Sequence, residues 1–367
     1  MSHPVLIVGP VPPPFGGMAL QAKALFERLR NDGIDVELLA TNPRLPAPIS
    51  IIKGVRTLIQ SIFFLWTLTR ALLRARVVHL LGASHWYFLL RVVPTMILGK
   101  LFGRRVILNY RGGEAPDFLA RFTWLVVPMF RLADVIAVPS SYLLRVFERY
   151  HFHPTVIANF VDLKRFRFRQ RDRLKPKLLV TRSLEPLYNV KMALEAFAIV
   201  QKKYPDAHID VVGGGSQEIP LRDWVKRLGW TGIDFRGAVP NEEIPGYLDN
   251  ADILLNPAYA DNMPINLLEA FAAGVPVVTT NAGGIPDLVG QDEAALMVNS
   301  NDAASMAARI EQLLSQPQTV VRVTAQAKSL CEKLNWEKVG RLWIELYSAA
   351  GQCREAENEK SINLITK

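Results

Sequence analysis

Short apolar runs, each followed by a stretch of helix length, recur from one end of this chain to the other. Val5–Val8, Asp35–Leu39, Val77–Leu81, Val106–Leu108 and the run ending at Val138 occupy the first half. Leu178–Thr181, Ile209–Val212, the run from Ile233, Asp252–Leu255 and Val277–Thr280 occupy the second. Brief apolar runs bounded by turn residues read as buried strands. Strands that alternate with helices build parallel sheets. The 367 residues suffice for two such domains. The expected division is 1–170 and 171–350, with Arg165–Lys177, basic and Pro-containing, as the linker and 351–367 as a loose polar tail.

The most informative stretch is Asn256–Thr280. Asn, Pro and Asp crowd its front half, which predicts a loop. Pro264 suits the first helical position, with Asn262 or Met263 as the cap. Gly274, with Pro276 beyond it, ends the helix. A helix N-terminus presents free N–H groups and a partial positive charge to an anion such as phosphate. Asp261 lies in the loop at the helix mouth and Glu269 about a turn and a half inside. Two acceptor-only carboxylates flanking an anion site suit sugar hydroxyls on either side of a phosphate, which describes a nucleotide sugar.

This carboxylate spacing, continued by Glu-Ala-x-Ala-x-Gly-x-Pro-Val-Val, resembles the signature of retaining family-4 glycosyltransferases. The family opens the pattern with Glu, where this chain has Asp261. The resemblance implies an α/β protein of GT-B fold, two Rossmann-like domains whose parallel sheets face a central cleft. It implies transfer from a nucleotide-diphosphate sugar, with a last helix at about 336–350 crossing back to the first domain. Asp261 would hold the hexose and Glu269 the ribose, with Asn262, Met263, Pro264, Ile265 and Asn266 as donor-binding residues and the amides around Met263–Asn266 meeting the diphosphate. Arg182 matches the family's phosphate arginine. The phosphate-lysine position falls on Tyr188, which leaves Lys191 as a substitute. Gly213 and Gly237 end strands beside the donor, and the Gly16-Gly17 turn lies over the cleft. Arg111 stands where the family carries a His near the reacting sugar. Arg cannot act as a base, but it can hold a phosphate or a developing charge. Ala158–Asp162 with Phe166 resembles the element that closes the first domain. With no Asp-x-Asp and no His/Cys cluster of ligand spacing, neither metal nor cofactor is expected.

Charge adds a partner. Residues 1–175 carry 25 Lys and Arg against 10 Asp and Glu, whereas 176–367 carry 18 against 24. Leu38–Gly113 holds 11 basic residues and no acidic one. Within it Ile51–Leu73 is too interrupted for a span of roughly 18 apolar residues. Lys53, Arg56, Gln60, Thr67, Arg70 and Arg74 recur near helical spacing, which predicts an amphipathic helix with a basic stripe. Trp66, Trp86 and Tyr87 are types that settle at a lipid–water boundary. Nucleic-acid faces are more polar than this. The expected partner is therefore an anionic membrane surface and not nucleic acid, with a lipid-linked or glycan acceptor. Two distant cysteines, Cys331 and Cys353, and no secretory leader predict a cytoplasmic protein, peripheral at the inner membrane face. A nucleotide-sugar epimerase and a catalytically silent sugar-nucleotide-binding module are the alternatives.

Overall fold

The computed structural model describes residues 4–13, 16–43, 53–171, 173–290 and 293–365, with backbone alone for 53–55 and 351–365. Phe15, the Lys53 side chain and the Cys353 side chain lie outside the described residues. The chain forms two compact units, one of Met1–Ala158 with Glu337–Lys367 and one of Asn159–Trp336.

Unit 1 holds β1 (Val5–Gly9), β2 (Val36–Ala40), β3 (Val77–Gly82), β4 (Arg105–Tyr110), β5 (Val135–Val138) and β6 (Thr155–Val156), in the order β2-β1-β3-β4-β5-β6. Every pairing is parallel. Unit 2 holds β7 (Lys177–Thr181), β8 (His208–Val212), β9 (Ile233–Gly237), β10 (Ile253–Asn256), β11 (Val277–Thr280) and β12 (Leu296–Val298), ordered β12-β11-β10-β7-β8-β9 and again all parallel. A sheet covered by helices on both faces buries its strands fully. Accordingly β3, β10 and β11 are buried at every residue.

Strand order fixes where ligands can sit. Where successive connections leave in opposite directions, the loops part beyond the carboxyl ends of the strands and open a crevice. In unit 2 that switch lies between β7 and β10, which are neighbours in the sheet. In unit 1 it lies between β1 and β3.

Three expectations change. The division falls after Ala158, earlier than residue 170. The supposed linker is strapped to unit 2: Arg171 is buried and donates to Ala273 O (2.7 Å) and Leu248 O (2.9 Å), while Arg169 reaches Asp252 (3.3 Å). The last helix, Trp336–Ile365, does not stop at Ala350. Its continuation carries three Glu with one each of Arg, Lys, Gln and Ala, which are good helix formers.

The helix Lys53–Arg74 packs Phe64, Leu68 and Leu72 into the core of unit 1. Its outward face is also apolar, because Leu58, Ile62, Trp66 and Leu73 are 51–64% exposed. Arg56, Arg70 and Arg74 flank that face, and Arg70 lies 4.2 Å over the Trp66 ring. Trp86, Leu101 and Trp124, on following helices, are about three-quarters exposed. Part of the acid-free run is structural. Arg91 is buried against Thr41 O and Ser61, and Lys100 and Arg105 pair with Asp134. No helix among the described residues is long and apolar enough to cross a membrane.

Candidate functional site

The switch of unit 2 brings two charged side chains together. β7 runs straight into Arg182, and the loop after β10 carries Asp261. Arg182 donates from Nη2 to Asp261 Oδ2 (2.5 Å) and from Nη1 to Asn266 Oδ1 (3.2 Å). Its guanidinium lies 3.9 Å over the Tyr188 ring. Arg182 Nε and Asn266 Nδ2 are buried and have no hydrogen-bond partner. A buried donor without an acceptor costs about 1–3 kcal/mol, so the site holds donors that an incoming anion would satisfy.

Glycines allow this close approach. At Gly213 (φ +146°) a Cβ would overlap the Arg182 carbonyl, and the Gly213 N–H donates to Gly237 O (2.8 Å). At Gly283 (φ +58°) a Cβ would overlap the backbone of Asp261, whose carbonyl accepts from Gly284 N (2.8 Å). Asn159 braces the same loop by donating from Nδ2 to Met263 O (2.7 Å). Ala158–Asp162 therefore braces the loop that carries Asp261 and Met263 as well as marking the boundary, because Asn159 and its successors belong to unit 2. Pro264 is the N-cap, not the first helical residue, and the helix spans Ile265–Ala272. Asn262, Met263, Asn266 and Glu269 are all buried. Burial raises the Glu269 pKa to about 7, and Arg165 opposes that shift.

Lys191 stands apart from Arg182's partners. It is 57% exposed, pairs with Glu195 at 3.5 Å and lies 5.1 Å from the Trp224 ring. The place expected for a second cation is taken by Tyr188, which stacks on Arg182. On β8 and β9, His208, Asp210 and Asp234 bring ligand atoms within 4.8 Å of one another. Arg236 already bonds both aspartates at 2.6 Å.

In unit 1, Gly16 caps the helix Gly17–Asn31 with open space where a Cβ would stand. Arg111 follows β4 and begins a buried polar chain. Its Nε donates to Asn109 Oδ1 (3.3 Å), and Asn109 Nδ2 meets His79 Nε2 (2.9 Å). His79 Nδ1 meets Tyr347 Oη (2.6 Å), on the last helix. The Asn109 amide presents N–H to His79 Nε2, which must accept, so the His79 proton sits on Nδ1 and points to Tyr347. Burial, and then the Arg111 charge, lower the His79 pKa to about 3, so the ring is neutral. Burial also lowers that of Arg111 to about 10. Neither this chain nor the Tyr188 platform is visible in sequence spacing, since its members lie on different elements.

Two family models match the chain. "Glycosyltransferase Family 4" covers residues 15–165 and "Glycosyl transferases group 1" covers 164–330. Sulfoquinovosyl transferase SQD2 of Arabidopsis thaliana is 26% identical over 71% of this chain and 55% of that protein. The chain thus spans little more than half the length of that relative. A GDP-mannose-dependent phosphatidylinositol monomannoside mannosyltransferase of Mycolicibacterium smegmatis is 25% identical over 72% of this chain and 76% of that protein. Among solved structures, sucrose-phosphate synthase of Thermosynechococcus elongatus superposes with a TM-score of 0.76 at 17% identity, covering 95% of this chain and 100% of the other. Anabaena HepE with UDP-glucose gives 0.73 at 16%, covering 95% and 100%. Two all-parallel six-stranded sheets, matched along nearly the whole chain by these structures, make the fold GT-B. The chain belongs to the glycosyltransferases of family 4, group 1 type.

Proposed function

We propose that this protein transfers a hexose from a nucleotide-diphosphate sugar to an acceptor, with retention at the anomeric carbon. One observation carries the reading: Arg182, Asp261 and Asn266 meet at the β7/β10 switch, beside a helix N-terminus, with buried donors left for an anion. Arg182, the Ile265–Ala272 N-terminus and the turn at Gly213 hold the diphosphate, and the loop at Gly237 holds the base by main-chain contacts. Asp261 takes hexose hydroxyls and Glu269 the ribose. Retention then follows from front-face attack, in which the leaving phosphate accepts the acceptor's proton and the protein supplies position and field. Arg111 stabilises charge that develops during transfer. No metal or cofactor is required, because the arginine and the helix dipole offset the phosphate charge. Relatives named for a GDP-mannose donor and a sulfoquinovosyl group support a nucleotide-sugar donor of this kind.

The acceptor is lipid-linked or a glycan precursor, met at an anionic membrane face. The doubly apolar helix Lys53–Arg74, with exposed Trp66 and flanking Arg56, Arg70 and Arg74, supports docking of unit 1 on such a surface. The protein is then peripheral, on the cytoplasmic side of that membrane.

A panel of nucleotide sugars read by thermal shift finds the donor, since a ligand specific to the native state raises the melting point. Turnover of that donor only when acceptor is added supports transfer. Acceptor-independent release of free nucleotide would mark an epimerase or hydrolase, and binding without turnover a silent module. Co-sedimentation with liposomes should require anionic lipid and weaken with salt. A protein that stays in the supernatant throughout overturns the docking and favours a soluble acceptor.

A further inference from the structure

Arg182 faces a conflict of partners that the reading above does not resolve. Its guanidinium is needed by the donor's diphosphate, yet Nη2 is engaged by Asp261. The two side chains are only 10% and 16% exposed, so neither is free to swing into solvent. A phosphate arriving at Arg182 therefore meets a carboxylate already seated there, with like charge. The platform beneath permits an exchange. Tyr188 stacks on the guanidinium face at 3.9 Å, which fixes the plane of the group and leaves its edge donors interchangeable. Asn266 holds Nη1 through its Oδ1, and Nε has no partner.

We propose that Asp261 competes with the diphosphate for Arg182, and that this competition makes Asp261 a specificity-determining residue favouring the intact nucleotide sugar over the nucleoside diphosphate left after transfer. The inference rests on the donor-site reading above. An intact donor displaces Asp261 and offers it hexose hydroxyls, so every acceptor stays paired. A bare nucleoside diphosphate displaces Asp261 and offers it nothing. The carboxylate then sits buried beside a phosphate with no donor, and it retakes Arg182 as the product leaves. Tyr188 is the positioning residue that keeps Arg182 in register for both partners.

The test is a double-mutant cycle on the full chain, probed with UDP, GDP, ADP, CDP and dTDP by ligand-observed NMR, which reaches millimolar affinities. Asp261→Asn should bind the preferred diphosphate roughly tenfold more tightly, the scale of one charge-assisted hydrogen bond. The same variant should turn over the nucleotide sugar more slowly. In an Arg182→Gln background the gain should vanish. Tyr188→Leu should weaken diphosphate binding, and Tyr188→Phe should restore it. Weaker binding by Asp261→Asn overturns the competition and makes Asp261 a mere support of Arg182. A gain that survives in Arg182→Gln also overturns it, because repulsion through space then accounts for the effect. Absence of binding for all five probes, in the wild type and Asp261→Asn alike, fails the donor site itself, an outcome distinct from both.

Discussion

The two units share one architecture and handle charge in opposite ways. In unit 2 the charged groups are matched: Arg182 with Asp261 at the switch, and Arg171 and Arg169, at the amino end of β10, with Asp252 or backbone carbonyls. Unit 1 buries a few polar groups as carefully, in the line from Arg111 to Tyr347, yet presents Arg56, Arg70 and Arg74 outward beside bare apolar surface. Matched charge in a low-dielectric crevice is preorganised for a ligand of defined shape. Unmatched charge beside exposed Trp and Leu suits a surface of defined sign and no defined shape. The proposed donor site and the proposed docking face thus differ in how well their ions are paired.

The largest effect expected is on Arg182. Arg182→Ala leaves Asp261 buried without its partner and removes the main cation of the site. Calorimetry should show nucleoside diphosphate affinity falling by about 4 kcal/mol, close to a thousandfold. Retained affinity would break the contrast at its strongest point.

Glu269→Gln comes next. The folded-state pKa of Glu269 is raised from 4.5 to about 7, so the native state holds its proton more tightly than the unfolded state. Stability from this group is thus full below pH 4.5 and is lost as pH rises to 7, on the order of 3 kcal/mol in all. Glu269→Gln should therefore raise the melting temperature at pH 8, change it little at pH 4.5, and weaken nucleotide binding. His79 in unit 1 has the opposite sign. Its lowered pKa gives stability that is present above pH 6.5 and is lost as pH falls toward 3.

The docking face is tested by Arg70→Glu with Arg74→Glu. Each basic residue lost near an anionic bilayer removes about 1 kcal/mol, so vesicle binding should drop at least roughly thirtyfold while the melting temperature holds. Tyr347→Phe removes one buried hydrogen bond to His79, worth about 1 kcal/mol. If the chain to Arg111 positions that residue, kcat should fall roughly fivefold while nucleotide affinity is unchanged. Arg111→Ala should lower kcat further with the same sparing of nucleotide binding. The smallest effect is on Lys191, whose exposed pair with Glu195 is worth under about 1 kcal/mol. Lys191→Ala should leave nucleotide affinity within error, and a clear loss would return it to the phosphate site.

Sequence patterns reveal what is local. Val277–Thr280 is a strand because four apolar or β-branched residues lie between turn signals, and Gly274 ends its helix because φ of +69° suits glycine. The contacts that brace the candidate site of unit 2 and the polar line of unit 1 are not local. Asn159 reaches Met263 across 104 residues, and Tyr347 reaches His79 across 268. Tyr188 looked like the absence of a cation when read in sequence, and only its stacking on Arg182 gives it a task. The Lys53–Arg74 helix was legible in part. Spacing found its polar stripe, but with apolar residues on both remaining faces the period could not tell which one the core takes.

The return of the chain to unit 1 has a consequence during synthesis. Asn159–Trp336 is contiguous, so unit 2 has all its residues as soon as Trp336 leaves the ribosome. Unit 1 is begun first and finished last, because Trp343 and Tyr347 are among its largest buried side chains and both pack against His79. Until they emerge, the His79 pocket stands open and the nascent first half lacks part of its core. The order of completion is thus the reverse of the order of translation. A chain arrested after Trp336 should bind nucleotide with a finished second half while its first half occupies a chaperone.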